Sequence, residues 1–313
     1  MKNPKYFICP MSKLITDSVI EMDSDKFGLL ATRRQIDWDG GYVNNWNTKE
    51  FYEYVRSKSR IVLERDHGGP MQGTSPDSGY TSFTHDVNYF DIIHIDPWKL
   101  YNGWWGHDAE ATADAMNYLH FINPKVLYEI GTEEAINYIT VTELSQVLEY
   151  IKDNVVDDVF YNIEYVVIQS GVGLDLVNMA NIGNYDELRL IKMIEIVKSY
   201  GKKCKEHNGD YLSNAELELR FKFGVDSINI GPEIAQIQTL TYLEHMTDQQ
   251  IDEFYEICLS SNKWKRWVDT EFDTTDKRKL IQVCGHYCFD QYALPNVDEQ
   301  IKENIKKKLI SLP

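Results

Sequence analysis

No apolar run in the sequence approaches the ~20 residues that a helix needs to cross a bilayer, so nothing in it reads as a membrane span. Positive charge is also scarce. There are 32 lysines and arginines against 49 aspartates and glutamates, a formal net charge of −17. So acidic a surface argues against nucleic acid and anionic lipid as partners, but leaves room for a locally basic site. The opening stretch MKNPKYFICPMSK lacks the apolar core of a secretory signal. Cysteines are few and odd in number. Cys9, Cys204, Cys258, Cys284 and Cys288 do not suit a disulfide framework and fit reduced thiols in a cytoplasmic protein. No GxGxxG follows the first apolar run, which argues against an open dinucleotide-binding sheet. No repeat of fixed period is visible.

What is present is a globular chain of 313 residues, 43% hydrophobic and 26% charged, long enough for one large core. One pattern recurs. A short apolar run, often β-branched, ends in polar residues or glycine, and a helical stretch follows. The runs are YFICPMS, FGLLATRRQ, RIVLERDHGG, DIIHIDPW, KVLYEIGTEE, YVVIQSGVG, KKCKEHNGD and DSINIGPE. Helical spacing lies between them, as in Val141, Leu144, Val147, Leu148 and Ile151. Asn47 or Thr48 is a candidate N-cap. Ser213 with Glu216 has the capping-box spacing, and Gly201 suits a helix end. Strands alternating with helices predict an α/β fold with a parallel sheet. Eight such units predict a (β/α)8 TIM barrel over residues 1–245. The alternation then stops, and residues 246–313 read as a C-terminal helical extension packed on the barrel.

In such a barrel the site lies where the strands end. Those ends carry Arg33, Arg34 and Gln35; Asp66 and His67; His94 and Asp96; Glu129 and Glu133; Gln169 and Ser170; Glu206, His207 and Asp210; and Asn229. His67 and His207, with a carboxylate nearby, suit a three-ligand metal site with an open position, where a metal polarises a carbonyl. Asp66 is placed to move a proton to or from a substrate hydroxyl. Arg33 and Arg34 offer planar forks for phosphate or carboxylate, unless one of them pairs with Asp37 or Asp39. Gly171, Gly173, Gly209 and Gly231 would let backbone N–H groups approach a ligand. Cys284, His286 and Cys288, spaced two apart, would share a face on a strand and could bind metal, although buried thiols suit them better. His286 could also reach the mouth.

Taken in order, LLATRRQIDWDGGY, VLERDHGGP, IIHIDPW, EIGTEE, VVIQSGVGLD, KEHNGDYLS and SINIGP resemble the barrel motifs of class II tagatose-bisphosphate aldolases, in particular the family called the non-catalytic subunit. The resemblance runs from about residue 8 to residue 240. It implies a (β/α)8 barrel and divalent-metal chemistry on ketose phosphates, with Zn2+ first and Mn2+, Co2+ or Ni2+ as alternatives. It also implies that Asp66 is the catalytic acid/base, that His67 and His207 are metal ligands, and that Asn229 contacts substrate. Gln35, Asp96, Gln169, Gly171, Gly209 and Asp210 complete the expected substrate-binding set. Two departures stand out. Gln169 or Ser170 occupies the place of a metal-binding histidine, so the metal would recruit another ligand such as Glu133. Arg33 and Arg34 are more charged than the family pattern, which hints at an additional anionic group on the substrate. The expected activity is retro-aldol cleavage between C3 and C4. The alternatives are C4 epimerisation in the same site, or a non-catalytic role stabilising an aldolase subunit. The expected partners are a sugar or sugar phosphate, and either further copies of the chain or a catalytic aldolase subunit.

Overall fold

A computed structural model describes residues 3–101, 105–131 and 139–313. Eight parallel strands close a barrel. They are β1 (Tyr6–Ile8), β2 (Phe27–Thr32), β3 (Leu63–Gly68), β4 (Ile92–Ile95), β5 (Leu127–Ile130), β6 (Ile163–Ile168), β9 (Lys203–Glu206) and β10 (Ser227–Ile230). The order around the barrel is β1-β10-β9-β6-β5-β4-β3-β2. All eight apolar runs become its strands. A two-stranded antiparallel hairpin, β7 (Leu174–Asp175) with β8 (Ala180–Asn181), is inserted after β6.

The helices form where local chemistry starts them. Asn47, Thr140, Ser213 and Thr247 each accept a backbone N–H three residues on, and Glu50, Glu143, Glu216 and Gln250 return the bond. Each such box satisfies two N–H groups that a helix start would otherwise leave open. Gly201 follows the helix Glu187–Ser199 with a φ of +72°, a backbone that favours glycine.

After β10 the chain is helical: Pro232–His245, Asp248–Ser261, Lys277–Cys284 and Asp298–Ser311. The last of these packs against Lys13–Glu21 and Pro232–His245, burying Ile301, Ile305, Leu309 and the following Leu312. The stretch holding Cys284, His286 and Cys288 is not a strand. It is a helix end followed by a 3-10 turn at Gly285–Tyr287, so a spacing of two no longer puts the three on one face. Among the described residues no helix is long and apolar enough to cross a membrane.

Candidate metal centre at the barrel mouth

The site begins with an irregularity in β3. Arg65 pairs with Ile93 and Gly68 with Ile95, so Asp66 and His67 together stand opposite His94 alone. This is a β-bulge, which adds a residue to one strand and turns it. His67 takes a φ of +45° to make it. Neighbouring strand residues normally face opposite ways, yet here Asp66 Oδ1 lies 3.8 Å from His67 Nε2. The neighbouring Arg65 does not pair with Asp66. Its guanidinium is fully buried against Asp86 at 2.8 Å.

Three imidazoles meet at the mouth, with ring centres 5.2 Å (His67–His94), 5.2 Å (His94–His207) and 5.7 Å (His67–His207) apart. Their hydrogen bonds fix which nitrogens face inward. His67 Nδ1 is hydrogen-bonded to Asp96 Oδ2 at 2.6 Å, which turns Nε2 toward Asp66. Asp96 is itself held by Gln72 at 2.8 Å. His94 Nε2 donates to the Gly131 carbonyl at 2.7 Å, and Nδ1 accepts the His67 backbone N–H at 3.3 Å. That acceptor lies 3.5 Å from Asp66 Oδ1 and 3.7 Å from Glu129 Oε1. His207 Nε2 is 2.5 Å from Glu129 Oε1. Two groups of three could therefore hold a metal ion: Asp66, His67 and His207, and His94, Glu129 and His207. Imidazoles held by carboxylates in this way suit a divalent ion.

Below them the barrel interior carries charge. Lys205 is fully buried between Glu64 at 2.5 Å and Glu129 at 2.7 Å, and its ammonium lies 3.9 Å from the Phe7 ring centre. Burial and the Glu129 charge push the Glu64 carboxyl well up. Burial works against ionised Glu129 too, but Lys205, His94 and His207 outweigh it and hold that group well down. Asp66 is likewise buried, and His67, His94 and His207 hold it below its usual range.

The remaining expected residues divide by what already occupies them. Arg33 is buried and committed to Asp37 at 2.9 Å, Asp77 at 2.5 Å and the Gly69 carbonyl at 2.7 Å. The alternative of pairing with Asp37 therefore describes it, and its fork ties two loops together. Asp210 Oδ1 accepts the N–H groups of Gly231 at 2.9 Å and Glu233 at 2.8 Å, capping Pro232–His245. The N–H of Gly209 goes to the Asn229 carbonyl at 2.9 Å. Gly171 has a φ of +95°, and a Cβ there would stand 2.0 Å from the Asn184 carbonyl oxygen, so the loop crossing requires glycine. Gln35 Oε1 accepts the Thr32 N–H at 2.8 Å. Gln169 and Asn229 are buried with both amide atoms unpartnered. Glu133 lies outside the described residues. His286 is buried and belongs to neither donor group.

Sequence reasoning left His94 and Glu129 out of the ligand set and missed Glu64 and Lys205. The available signal for His94 and Glu129 was an ionisable side chain inside an apolar strand, as in IIHI and LYEI.

A second feature lies beside Gln35. Arg34, Tyr42, Thr74, Lys263, Arg266 and Tyr287 line a cavity of ≈ 380 Å³. Tyr42 and Cys9 both lie near the Gln35 side chain. Two of the three cations come from the C-terminal extension.

No family model matches the sequence, and no curated protein matches it. Solved structures do match in fold. A probable tagatose 6 phosphate kinase from Sinorhizobium meliloti 1021 superposes with a TM-score of 0.73 at 16% identity, covering 99% of this chain and 89% of that one. Fructuronate-tagaturonate epimerase UxaE from Cohnella laeviribosi gives 0.65 at 10%, covering 98% and 80%. The YdjI aldolase from Escherichia coli K12 gives 0.55 at 11%, covering 99% and 92%.

Proposed function

We propose that the chain is a metal-dependent enzyme that makes or breaks the C3–C4 bond of a ketose phosphate or a related sugar. One observation carries this reading. Asp66, His67 and His207, and His94, Glu129 and His207, each bring three ligand atoms within 4.8 Å of one another. Imidazole nitrogens and carboxylate oxygens gathered this closely at a barrel mouth are the donors a divalent ion takes. The donor set, imidazole nitrogen and carboxylate oxygen, fits Zn2+, with Mn2+, Co2+ or Ni2+ as alternatives. His207 would hold the ion with either Asp66 and His67 or His94 and Glu129, and the bound ion would polarise the ketose carbonyl and stabilise negative charge on the cleaved sugar.

The chain's own groups account for the rest. Asp66, kept ionised by the histidines, takes the proton of the C4 hydroxyl as the C3–C4 bond breaks, and returns it in the reverse direction. Asp96 fixes the tautomer and angle of His67. Gln169 and Asn229 hold open amides for substrate hydroxyls. Arg34, Lys263 and Arg266 supply positive charge for a phosphate or carboxylate at the far end of the sugar. Release of the aldehyde makes an aldolase. Rotation and re-addition in the same site make a C4 epimerase. The presence of Asp66, His67 and His207 speaks against a purely stabilising subunit, while the lost histidine at Gln169 or Ser170 speaks for it.

The test is metal analysis of purified protein, followed by NMR of ketose phosphates incubated with it. Bound metal with C3–C4 cleavage, or inversion at C4, supports the reading. Failure to bind Zn2+, Mn2+, Co2+ or Ni2+, with His67→Ala altering only folding, sinks it.

A further inference from the structure

The loop that leaves β3 comes back to the residue it has just delivered. Gln72, shortly after His67 in the chain, is buried. Its Nε2 donates to Asp96 Oδ2 at 2.8 Å and to the Asp96 carbonyl at 3.1 Å. Its Oε1 accepts from Lys99 Nζ at 2.5 Å. The same Asp96 Oδ2 lies 2.6 Å from His67 Nδ1, and Asp96 is buried as well. These side chains form one hydrogen-bonded row, Lys99–Gln72–Asp96–His67, of which only His67 belongs to a metal donor group. We propose that Gln72 and Lys99 are positioning residues: acting through Asp96, they fix the His67 hydrogen on Nδ1 and so turn an unprotonated Nε2 toward the ion. This role presumes the metal centre proposed above and extends it to residues outside both donor groups.

The direction of each bond follows from the one before. An ammonium carries donors only, so Lys99 takes the amide oxygen and leaves the Gln72 N–H groups for Asp96. A turned-over amide would set oxygen against carboxylate and N–H against ammonium, and would lose the hydrogen bonds on both sides. Asp96 Oδ2 therefore accepts from Gln72, and it accepts from its next neighbour too. The hydrogen of the 2.6 Å contact then belongs to His67 Nδ1. A neutral imidazole carries hydrogen on one nitrogen, so Nε2 keeps its lone pair. Nε2 is the atom that lies toward Asp66, at 3.8 Å. A metal ligand needs that lone pair, and the partner of the other ring nitrogen sets the tautomer. Asp96 has a brace on its second oxygen as well: Oδ1 accepts the Trp98 N–H at 3.4 Å. Trp98 and Lys99 open one short helix, Trp98–Tyr101, so a single segment holds both Asp96 and Gln72.

Long-range proton–nitrogen NMR correlation of the metal-free full chain, with isotope-labelled histidines and above the imidazole titration, reads the tautomer directly. The signal lost in His67→Gln identifies the residue. The parent is expected to carry the His67 hydrogen on Nδ1. Gln72→Glu sets an acceptor against Asp96, and is expected to mix or reverse the tautomer and to weaken Co2+ binding by ~10–100-fold. Lys99→Met lets the amide turn over, and is expected to mix the tautomer and weaken Co2+ binding by less; Lys99→Arg restores both. Near-UV circular dichroism checks that each variant is folded, and Gln72→Met replaces Gln72→Glu if that variant is not. A His67 hydrogen on Nε2 in the parent overturns the proposal. So does a tautomer that either Gln72→Glu or Lys99→Met leaves unchanged. A parent with the expected tautomer that binds no Co2+ sinks the metal reading of the mouth, and the tautomers of the variants alone then decide the role of Gln72 and Lys99.

Discussion

Asp66 and His67 act on one space only because β3 carries an extra residue there. Asp66, His67 and His207 could be read from VLERDHGGP and KEHNGD, since ionisable residues ending apolar runs mark a barrel mouth. The bulge that joins Asp66 to His67 could not be read, because its cause is the register against β4. Arg33 misled for a similar reason. Its partner Asp77 is 44 residues away, and no local pattern announces the pair. Two expectations belong at this scale. Asp96→Ala frees His67 Nδ1 and should weaken Co2+ binding by ~10–100-fold, and His207→Ala, which removes a member of both donor groups, should weaken it more; calorimetric titration checks both. Asp108 is the second case. It is buried with both carboxyl oxygens unpartnered, and burial, then the nearby Asp96 charge, raise its pKa from 3.8 to about 7. The folded chain keeps this proton while the unfolded chain loses it, so stability falls as pH rises from about 4 to about 7. Asp108→Asn should remove that loss, gaining on the order of 1–3 kcal/mol over the parent at pH 8 relative to pH 4 once solvent screening is discounted. Urea unfolding at the two pH values measures it.

At the scale of elements, helix starts were the easiest features to read, because a cap and its reciprocal residue lie three apart. Ser213→Ala should cost ~1 kcal/mol through the lost cap, seen as a lower urea midpoint. The docking of Asp298–Ser311 was not legible in such detail. Lys302 at 2.7 Å and Lys306 at 2.5 Å reach Glu21, at the opposite end of the chain. These bridges are partly exposed and weak; the apolar face does the holding. Ile301, Ile305, Leu309 and Leu312 together bury side chains worth roughly 6–12 kcal/mol, about the whole stability of a domain. A chain ending at Val297 should therefore fail to fold, as far-UV circular dichroism and solubility would reveal. Glu21→Gln in the full chain should change stability by less than about 1 kcal/mol.

For the whole molecule, eight alternating units were enough to predict closure of the barrel, because a parallel sheet with helical crossovers must bury both faces. They could not say which strand residues point inward, and so the interior charges went unread. If the mouth holds an ion, chelation should lower the thermal midpoint. Saturation at ~100 times Kd corresponds to about 2.7 kcal/mol, and a scan with and without a chelator, repeated on His207→Ala, separates site loss from general salt effects. The buried Lys205 also governs how the barrel comes apart. Its partners sit on β3 and β5, and neither strand is a sheet neighbour of β9. A partial barrel that separates β9 from β5 or β3 would hold Lys205 in an apolar interior short of a counterpart, a state costing several kcal/mol. Partial barrels are thus penalised, and the transition should be all-or-none: fluorescence and circular dichroism should follow a single coincident unfolding curve.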